Sequence, residues 1–351
     1  MAKQRVAVIF GGRSGEHEVS VMSARSVMAA LDTSRWDVVP FAITRTGAWL
    51  SPKETWTGLE SGQPAFESSD RSGVLTSVDA LSALAGCDVA FPLVHGTYGE
   101  DGTMQGFLEI AGIPYAGAGV AASAIGMDKA LMKALFHEAG IRVALYSVIR
   151  SWEYALDEMI VAQLVESNLG YPCFVKPANG GSSVGITRAV SREDLPEAFR
   201  KAFAYDDKVV VEQAVIGVRE VECSVLGNER PEASIVGEVV PDREFYDYDS
   251  KYAGSSTTKL HIPAPLPDYV AAEVREMAVR MYQVMGCEGY ARVDFFVTED
   301  GVMANEVNTI PGFTSISMYP KLWEASGLGY SDLLTRILEL AFERHARRSG
   351  R

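Results

Sequence analysis

Asp294, Glu306 and Asn308 place three oxygen-bearing side chains on two short segments of one stretch, Tyr290 to Asn308. Between them, Glu299-Asp300-Gly301 is a hairpin turn signal flanked by strand-like runs. If Thr298 pairs with Val302, Asp294 falls opposite Glu306 and Arg292 opposite Asn308. Side chains alternate along a strand, so these four share one face. The other face would carry Val293, Phe295, Val297, Met303 and Val307, a set suited to a core. Two carboxylates and an amide crowded beside an arginine are unfavourable unless something binds among them. Oxygen-only ligands suit Mg²⁺, which keeps several waters and bridges to phosphates. A solvated hairpin face closed by a salt bridge is the plain alternative.

Other segments carry complementary chemistry. Asn179-Gly-Gly-Ser-Ser-Val-Gly185 lies between two apolar runs, and its backbone N–H groups could cradle phosphates because glycine allows close approach. It is not a P-loop: no Gly-Lys-Ser/Thr follows, and a strand comes next. An ordinary hairpin loop reads equally well. Lys176, at the end of Pro-Cys-Phe-Val-Lys, adds a cation aimed at phosphate, or else a lysine snorkelling off a strand end. Glu212 ends an apolar run and Glu220 begins the next, as acceptors for ribose or adenine or as solvated strand-end charges. Gly11 to Ser20 joins a strand to a helix. Ser14 could cap that helix, and Glu16 either complements the macrodipole or binds an ammonium. The polar stretch Glu244–Lys259 is punctuated by Phe245, Tyr246, Tyr248 and Tyr252, which favours a closing lid over a linker. In Thr309 to Ser317, Gly312 could donate its N–H and Ser317 could bind a carboxylate. A Pro-Gly turn capping the next helix is the bland reading.

These groups need elements to hold them. The chain has 351 residues, enough for two or three domains, and 47% hydrophobic residues supply a large core. A net charge of −14 disfavours nucleic acid while leaving room for a nucleotide held by local cations. Four scattered cysteines form no disulfide scaffold or zinc pattern, which suits a reducing cytoplasm. The opening apolar run, Val6 to Phe10, is too short for a signal peptide, and no segment approaches a membrane span. Strands are expected at Arg5–Phe10, Asp37–Ile43 and Asp88–Val94 with a helix over Glu16–Leu31, the alternation of a doubly wound sheet. Beyond Met127, helices are expected over Lys129–Ala139, Ser151–Ser167 and Asp194–Ala204. Strands are expected over Ala144–Ile149, Pro172–Lys176, Val184–Val190 and Lys208–Glu212. Strands Glu220–Leu226 and Ala233–Val240, helices Ala271–Met285 and Ser331–Arg347, and the hairpin complete the chain. Residues 60–77 read as a surface loop.

Taken together, the motifs resemble a known family. They are Gly-Gly-x-Ser-x-Glu-His-x-Val-Ser (11–20), His-Gly-x-x-Gly-Glu-Asp-Gly-x-x-Gln-Gly (95–106), Val-Lys-Pro…Gly-Ser-Ser-Val-Gly (175–185), Tyr-Asp-Tyr-x-x-Lys-Tyr (246–252), Arg-Val-Asp-Phe (292–295) and Asn-Glu-Val-Asn-Thr-x-Pro-Gly-Phe-Thr (305–314). In this order they look like D-alanine–D-alanine ligases of the ATP-grasp superfamily. The resemblance implies a mixed α/β and α+β fold in three domains. These are an N-terminal doubly wound parallel-sheet domain (1–125), a small central α+β domain (126–215) and a C-terminal α+β domain with lid and metal site (216–351). It implies that Lys129, Lys176 and Ser183 meet ATP, with Glu212, Ala214, Val215 and Phe296 around adenine and Glu220 on the ribose. It also implies that Asp294, Glu306 and Asn308 hold two Mg²⁺ or Mn²⁺ ions. Glu16 would bind the ammonium of the first D-alanine, linked through Ser182 to Tyr252. Ser317 and Met318 would face the second D-alanine. His95 and Lys251 would lie near the reacting groups, and Arg292 with the Gly312 N–H would stabilise the oxyanion. D-alanine and ATP, a homodimer and monovalent-cation activation follow as family expectations, with no nucleic acid or membrane partner. Ligation to D-lactate or D-serine, and a catalytically silent nucleotide-binding regulator, are the competing readings. Tyr252 favours the dipeptide, because depsipeptide-forming relatives usually change near it.

Overall fold

A computed structural model describes residues 3–62, 65–67, 77–181, 183–240, 259–314 and 316–350. Ser182, Lys251 and Tyr252, the body of the expected lid and most of the expected 60–77 loop lie outside the described residues.

Three sheets organise the described residues. The first holds β1 (Gln4–Gly11), β2 (Trp36–Ile43) and β3 (Val89–Pro92), parallel in the order β2-β1-β3. Both faces of β1 are covered, which explains its unbroken apolar run. Val6, Val8 and Phe10 pack with the His17–Ala30 and Tyr330–Ser349 helices, while Ala7 and Ile9 pack with Leu84 and Leu108. The last helix of the chain therefore returns to the first sheet. At the carboxyl end of β1, Gly11 adopts φ +91°, and a side chain there would meet the Ile43 carbonyl at 2.2 Å. This glycine lets the chain turn tightly into the helix that follows.

The second sheet is antiparallel. Its strands are β4 (Tyr146–Arg150), β5 (Cys173–Pro177), β6 (Thr187–Ala189) and β7 (Lys208–Gln213), in the order β4-β7-β5-β6. The helix expected over Ser151–Ser167 is split at Asp157. Its carboxylate accepts from the N–H groups of Met159 and Ile160 at 2.9 and 3.0 Å, which starts a new helix there. A short acidic side chain competes with the helical ladder in this way. The strand expected from Val184 begins only at Thr187, because Ser183 and Gly185 take positive φ and turn the chain.

The third sheet is antiparallel in the order β10-β9-β8-β11-β12. Its strands are β8 (Arg219–Leu226), β9 (Glu232–Val240), β10 (Lys259–His261), β11 (Tyr290–Thr298) and β12 (Gly301–Asn308). The Asp268–Val284 helix seals one face over Val221, Val293 and Phe295. The hairpin turn is one residue tighter than expected: Thr298 pairs with Gly301, and Val297 with Val302. A bulge at Asn305 then restores the register, so Asp294 does face Glu306 and Arg292 does face Asn308. The bulge also corrects the core set. Val302, Ala304 and Val307 pack inside, whereas Met303 lies opposite Phe296 and outside that cluster. Several short helices had not been read from sequence: Pro52–Glu60, Val78–Ala85, Thr103–Ile110 and Val120–Met127.

Candidate active site

A cavity of about 1170 Å³ draws its walls from all three sheets and their loops. Its floor is the polar face of β8, β11 and β12. Register sets Glu222, Asp294 and Glu306 side by side on three neighbouring strands. The Arg292 guanidinium grips both Asp294 oxygens at 2.7 Å and lies 2.9 Å from Glu222 Oε2. Asn308 Nδ2 donates to Asp294 Oδ2 at 3.0 Å. Burial works against the Arg292 charge, but Asp294 and Glu222 outweigh it and hold its pKa above the usual value. Asp294, Glu306 and Asn308 offer oxygen donors only, two of them carboxylates, on rigid adjacent strands. That donor set fits Mg²⁺ or Mn²⁺ completed by waters and phosphate. It does not fit zinc or copper, which favour sulfur and imidazole.

One wall comes from the second sheet and the Lys129–Glu138 helix. Asp128 caps that helix by accepting from the N–H groups of Ala130 and Leu131 at 3.0 and 3.1 Å. Lys129 is thereby set at its first turn, where its ammonium donates to the Gly180 carbonyl at 2.6 Å. Glu212 is buried between two lysines, with Lys133 on one oxygen and Lys176 on the other. Burial alone would raise its pKa, but Lys176 and Lys133 prevail and push it down to about 2. Ser183, Val215, Glu220 and Phe296 line the same cavity, and Glu220 and Phe296 are cross-strand partners. Ala214 itself does not line the cavity, and its N–H donates to the Pro172 carbonyl at 3.0 Å.

Another part of the lining comes from the segments that follow β1 and β3. Ser14 does not cap its helix as expected, since Glu16 is the N-cap residue. Instead the Ser14 hydroxyl donates to the His95 carbonyl at 2.6 Å and accepts from the Glu16 N–H at 3.2 Å, tying two loops together. His95 Nδ1 donates to the Ile310 carbonyl at 2.9 Å, and Nε2 lies 3.2 Å from Ser23 Oγ. Burial lowers the His95 pKa, but Glu100 outweighs it and the net shift is upward. Glu16 is framed by two glycines. A Cβ on Gly181 would lie 2.7 Å from its carboxylate, and one on Gly96 would lie 3.2 Å away. Gly312, Ser317 and Met318 also line the cavity. Ser317 Oγ accepts from the Thr314 N–H at 3.0 Å and precedes the Met318–Ala325 helix as its N-cap residue.

The fold thus gathers Glu16, His95, Lys129, Lys176, Ser183, Glu212, Val215, Glu220, Arg292, Asp294, Phe296, Glu306, Asn308, Gly312, Ser317 and Met318 into one cavity. Three residues escaped the sequence reading. Lys133 was signalled only by its place four residues after Lys129, on the same helix face. Glu222 follows Glu220 by two positions and so shares its face. Glu100 stood within a quoted motif without a role.

Comparisons with known proteins point one way. The family model described as D-ala D-ala ligase N-terminus matches residues 5–118, and the one described as D-ala D-ala ligase C-terminus matches residues 135–339. The chain is 46% identical to a D-alanine–D-alanine ligase of Geobacillus thermodenitrificans, over 98% of this chain and 96% of that one. It is 48% identical to another from Halothermothrix orenii, over 98% and 99%. Among solved structures it superposes on the D-alanine–D-alanine ligase of Coxiella burnetii, with a TM-score of 0.82, 34% identity and coverage of 99% and 98%. It also superposes on the VanG D-Ala:D-Ser ligase of Enterococcus faecalis, with a TM-score of 0.81, 35% identity and coverage of 97% and 100%. A three-sheet ATP-grasp fold, a cavity lined by both lysines and carboxylates, and near-half identity over nearly its whole length make this chain a member of the D-alanine–D-alanine ligase family.

Proposed function

We propose that this protein joins two D-alanines with ATP, through a D-alanyl phosphate, to form D-alanyl-D-alanine for peptidoglycan precursors. One observation carries the reading. A single cavity is lined by a carboxylate suited to an ammonium, Glu16, by phosphate-directed lysines, and by Arg292, Asp294, Glu306 and Asn308 paired across β11 and β12.

The chemistry follows from that arrangement. A carboxylate oxygen of the first D-alanine attacks the γ-phosphorus of ATP, and ADP leaves. The amine of the second D-alanine then attacks the acyl carbon. The tetrahedral oxyanion collapses and expels phosphate. Phosphoryl transfer needs positioning and charge neutralisation more than a protein nucleophile. Lys129 and Lys176 supply cations to the phosphates. Glu212 accepts from the adenine amino group, Val215 and Phe296 sandwich the base, and Glu220 holds the ribose. Asp294, Glu306 and Asn308 would hold two Mg²⁺ or Mn²⁺ ions, which when bound neutralise the β- and γ-phosphate oxygens. Glu16 orients the first D-alanine by its ammonium, near His95. Arg292 and the Gly312 N–H stabilise the oxyanion. Ser317, at a helix N-terminus, receives the carboxylate of the second D-alanine.

Several further features belong to this proposal. They are domain limits at 125/126 and 215/216, a cytoplasmic homodimer, and activation by a monovalent cation. No helix among the described residues is long and apolar enough to cross a membrane.

Phosphate release with ATP, Mg²⁺ and D-alanine, D-serine or D-lactate tests the function. The dipeptide should form from D-alanine alone. Turnover mainly with D-serine or D-lactate would move the protein to a sister activity. Tight nucleotide binding with no turnover would make it a regulator.

The two glycines around Glu16 yield a sharper expectation. Gly181→Ala puts a methyl 2.7 Å from a flexible carboxylate, so the carboxylate gives way and the backbone keeps its shape. The KM for D-alanine should rise roughly 10–100-fold, the worth of one hydrogen bond to a charged group. Melting temperature should hold. Unchanged D-alanine kinetics would show that Glu16 does not meet the ammonium.

A further inference from the structure

Lys133 has no role in the chemistry above. It is 2% exposed and does not line the cavity, although Lys129 on the same helix face does. Its ammonium pairs with Glu212 Oε1, while Lys176 pairs with Oε2. Tyr146, opposite Glu212 on β4, lies beneath the Lys133 ammonium at 5.9 Å. Phe174, opposite Glu212 on β5, lies beneath that of Lys176 at 5.7 Å. The carboxylate is therefore boxed by two cations and two rings, and it is itself 3% exposed.

One cation would neutralise Glu212. Two leave the cluster with a net positive charge, which burial disfavours unless something uses it. The two lysines are not equivalent. The Lys176 side chain is 14% exposed and lines the cavity, and that of Lys133 is 2% exposed and does not. An arriving phosphate can draw only Lys176 away. Once it goes, Oε2 becomes an open acceptor beside the base, and Lys133 still holds Oε1.

We propose that Lys133 is a positioning residue for nucleobase selection: it keeps Glu212 ionised and aimed at a 6-amino purine when Lys176 is drawn to the phosphates. The inference rests on the reading that Glu212 accepts from the adenine amino group. Without Lys133, Glu212 retains Lys176. The phosphates then lose a cation and the base loses its acceptor. Base recognition is thereby coupled to phosphate binding.

The test titrates the full chain, with Mg²⁺ and no D-alanine, using ATP and ITP, which differ by amino against oxo at position 6. Wild type should favour ATP by about tenfold or more, as expected for a hydrogen bond to a charged acceptor. Lys133→Met should weaken both nucleotides and bring their ratio near one. Lys133→Arg, which restores a cation, should recover the preference. A folded Lys133→Met protein that keeps the wild-type ratio, or weakens both nucleotides equally, overturns the proposal. A purely structural ion pair predicts that result. Should the methionine variant not fold, Lys133→Gln takes its place with the same expected loss of preference, and wild type tests the coupling on which the proposal rests. Its ATP-to-ITP preference should exceed its AMP-to-IMP preference, because only the longer phosphate chain releases Lys176. Equal preferences overturn the coupling. No ATP preference in wild type would instead remove the adenine reading itself, and this proposal with it.

Discussion

Arg292→Lys will retain phosphoryl transfer to D-alanine yet lose dipeptide synthesis by about 10²–10³-fold, the usual effect of deleting one oxyanion donor. The guanidinium is a planar fork. It meets both oxygens of Asp294 at 2.7 Å and Glu222 at 2.9 Å, which fixes its plane at the cavity floor. A lysine keeps the charge but not the fork, and it reaches one oxygen at a time. The ground-state charge balance among Glu222, Asp294 and Glu306 survives, so the fold and the phosphate site survive. Arg292→Met would be a poorer experiment, because it leaves neighbouring carboxylates uncompensated and penalises folding. The two half-reactions can be read separately. Positional isotope exchange within ATP, in the presence of D-alanine, reports acyl phosphate formation, and dipeptide yield reports the second step. Exchange should stay within about tenfold of wild type while dipeptide collapses. An equal fall in both would place Arg292 on the phosphoryl step. No fall in either would remove it from the chemistry.

The floor of the site was the most legible part of the sequence, for a physical reason. Strand alternation has a period of two, so Arg292 and Asp294 had to share a face, and a hairpin had to bring Glu306 and Asn308 beside them. Even there the route differed. The tighter turn and the bulge at Asn305 together reproduce the expected pairing at Asp294, and only Met303 reveals the change. β1 was legible because burial on both faces leaves a continuous apolar run. The short helices were not. Pro52–Glu60 has nine residues and a mixed face, although its capping box of Ser51 and Glu54 was a readable start signal. Lys133 and Glu222 were illegible for another reason. Their partners, Glu212 and Arg292, lie far along the chain, and only the tertiary fold brings them together. Nothing in local spacing tells a buried counter-ion from a solvated lysine. The glycines around Glu16 had the same character. The sequence reads Gly181 as room for a phosphate and assigns Gly96 nothing, whereas the structure sets both beside the Glu16 carboxylate.

Glu306→Gln will abolish phosphoryl transfer while leaving the metal-free fold as stable as wild type or slightly more so. Glu306 lies directly opposite Asp294, and Asp294 lies opposite Glu222 on its other side. Like charges at such cross-strand positions destabilise a sheet by roughly 0.2–1 kcal/mol per pair, so neutralising one relieves repulsion, which offsets the lost attraction of Glu306 to Lys129 and Arg292. The amide keeps the shape and the bulge at Asn305. It takes one negative charge from the oxygen donors, which under the proposed function hold the counter-ions of the phosphates. Several kcal/mol of transition-state stabilisation depend on that assembly, so turnover should fall by about 10³-fold or more. A charge retained at the expense of stability marks a functional position, and the two effects should therefore run in opposite directions. Mn²⁺ titration in the presence of ADP, followed by electron paramagnetic resonance, reads the binding loss without reference to turnover. Thermal melting without metal reads the fold. The expected pattern is weakened Mn²⁺ binding, lost phosphate release at every Mg²⁺ concentration and an unchanged or raised melting temperature. Near-wild-type turnover at saturating Mg²⁺ would exclude Glu306 as a ligand. A marked drop in metal-free stability would mean that its charge serves the sheet and not the phosphates.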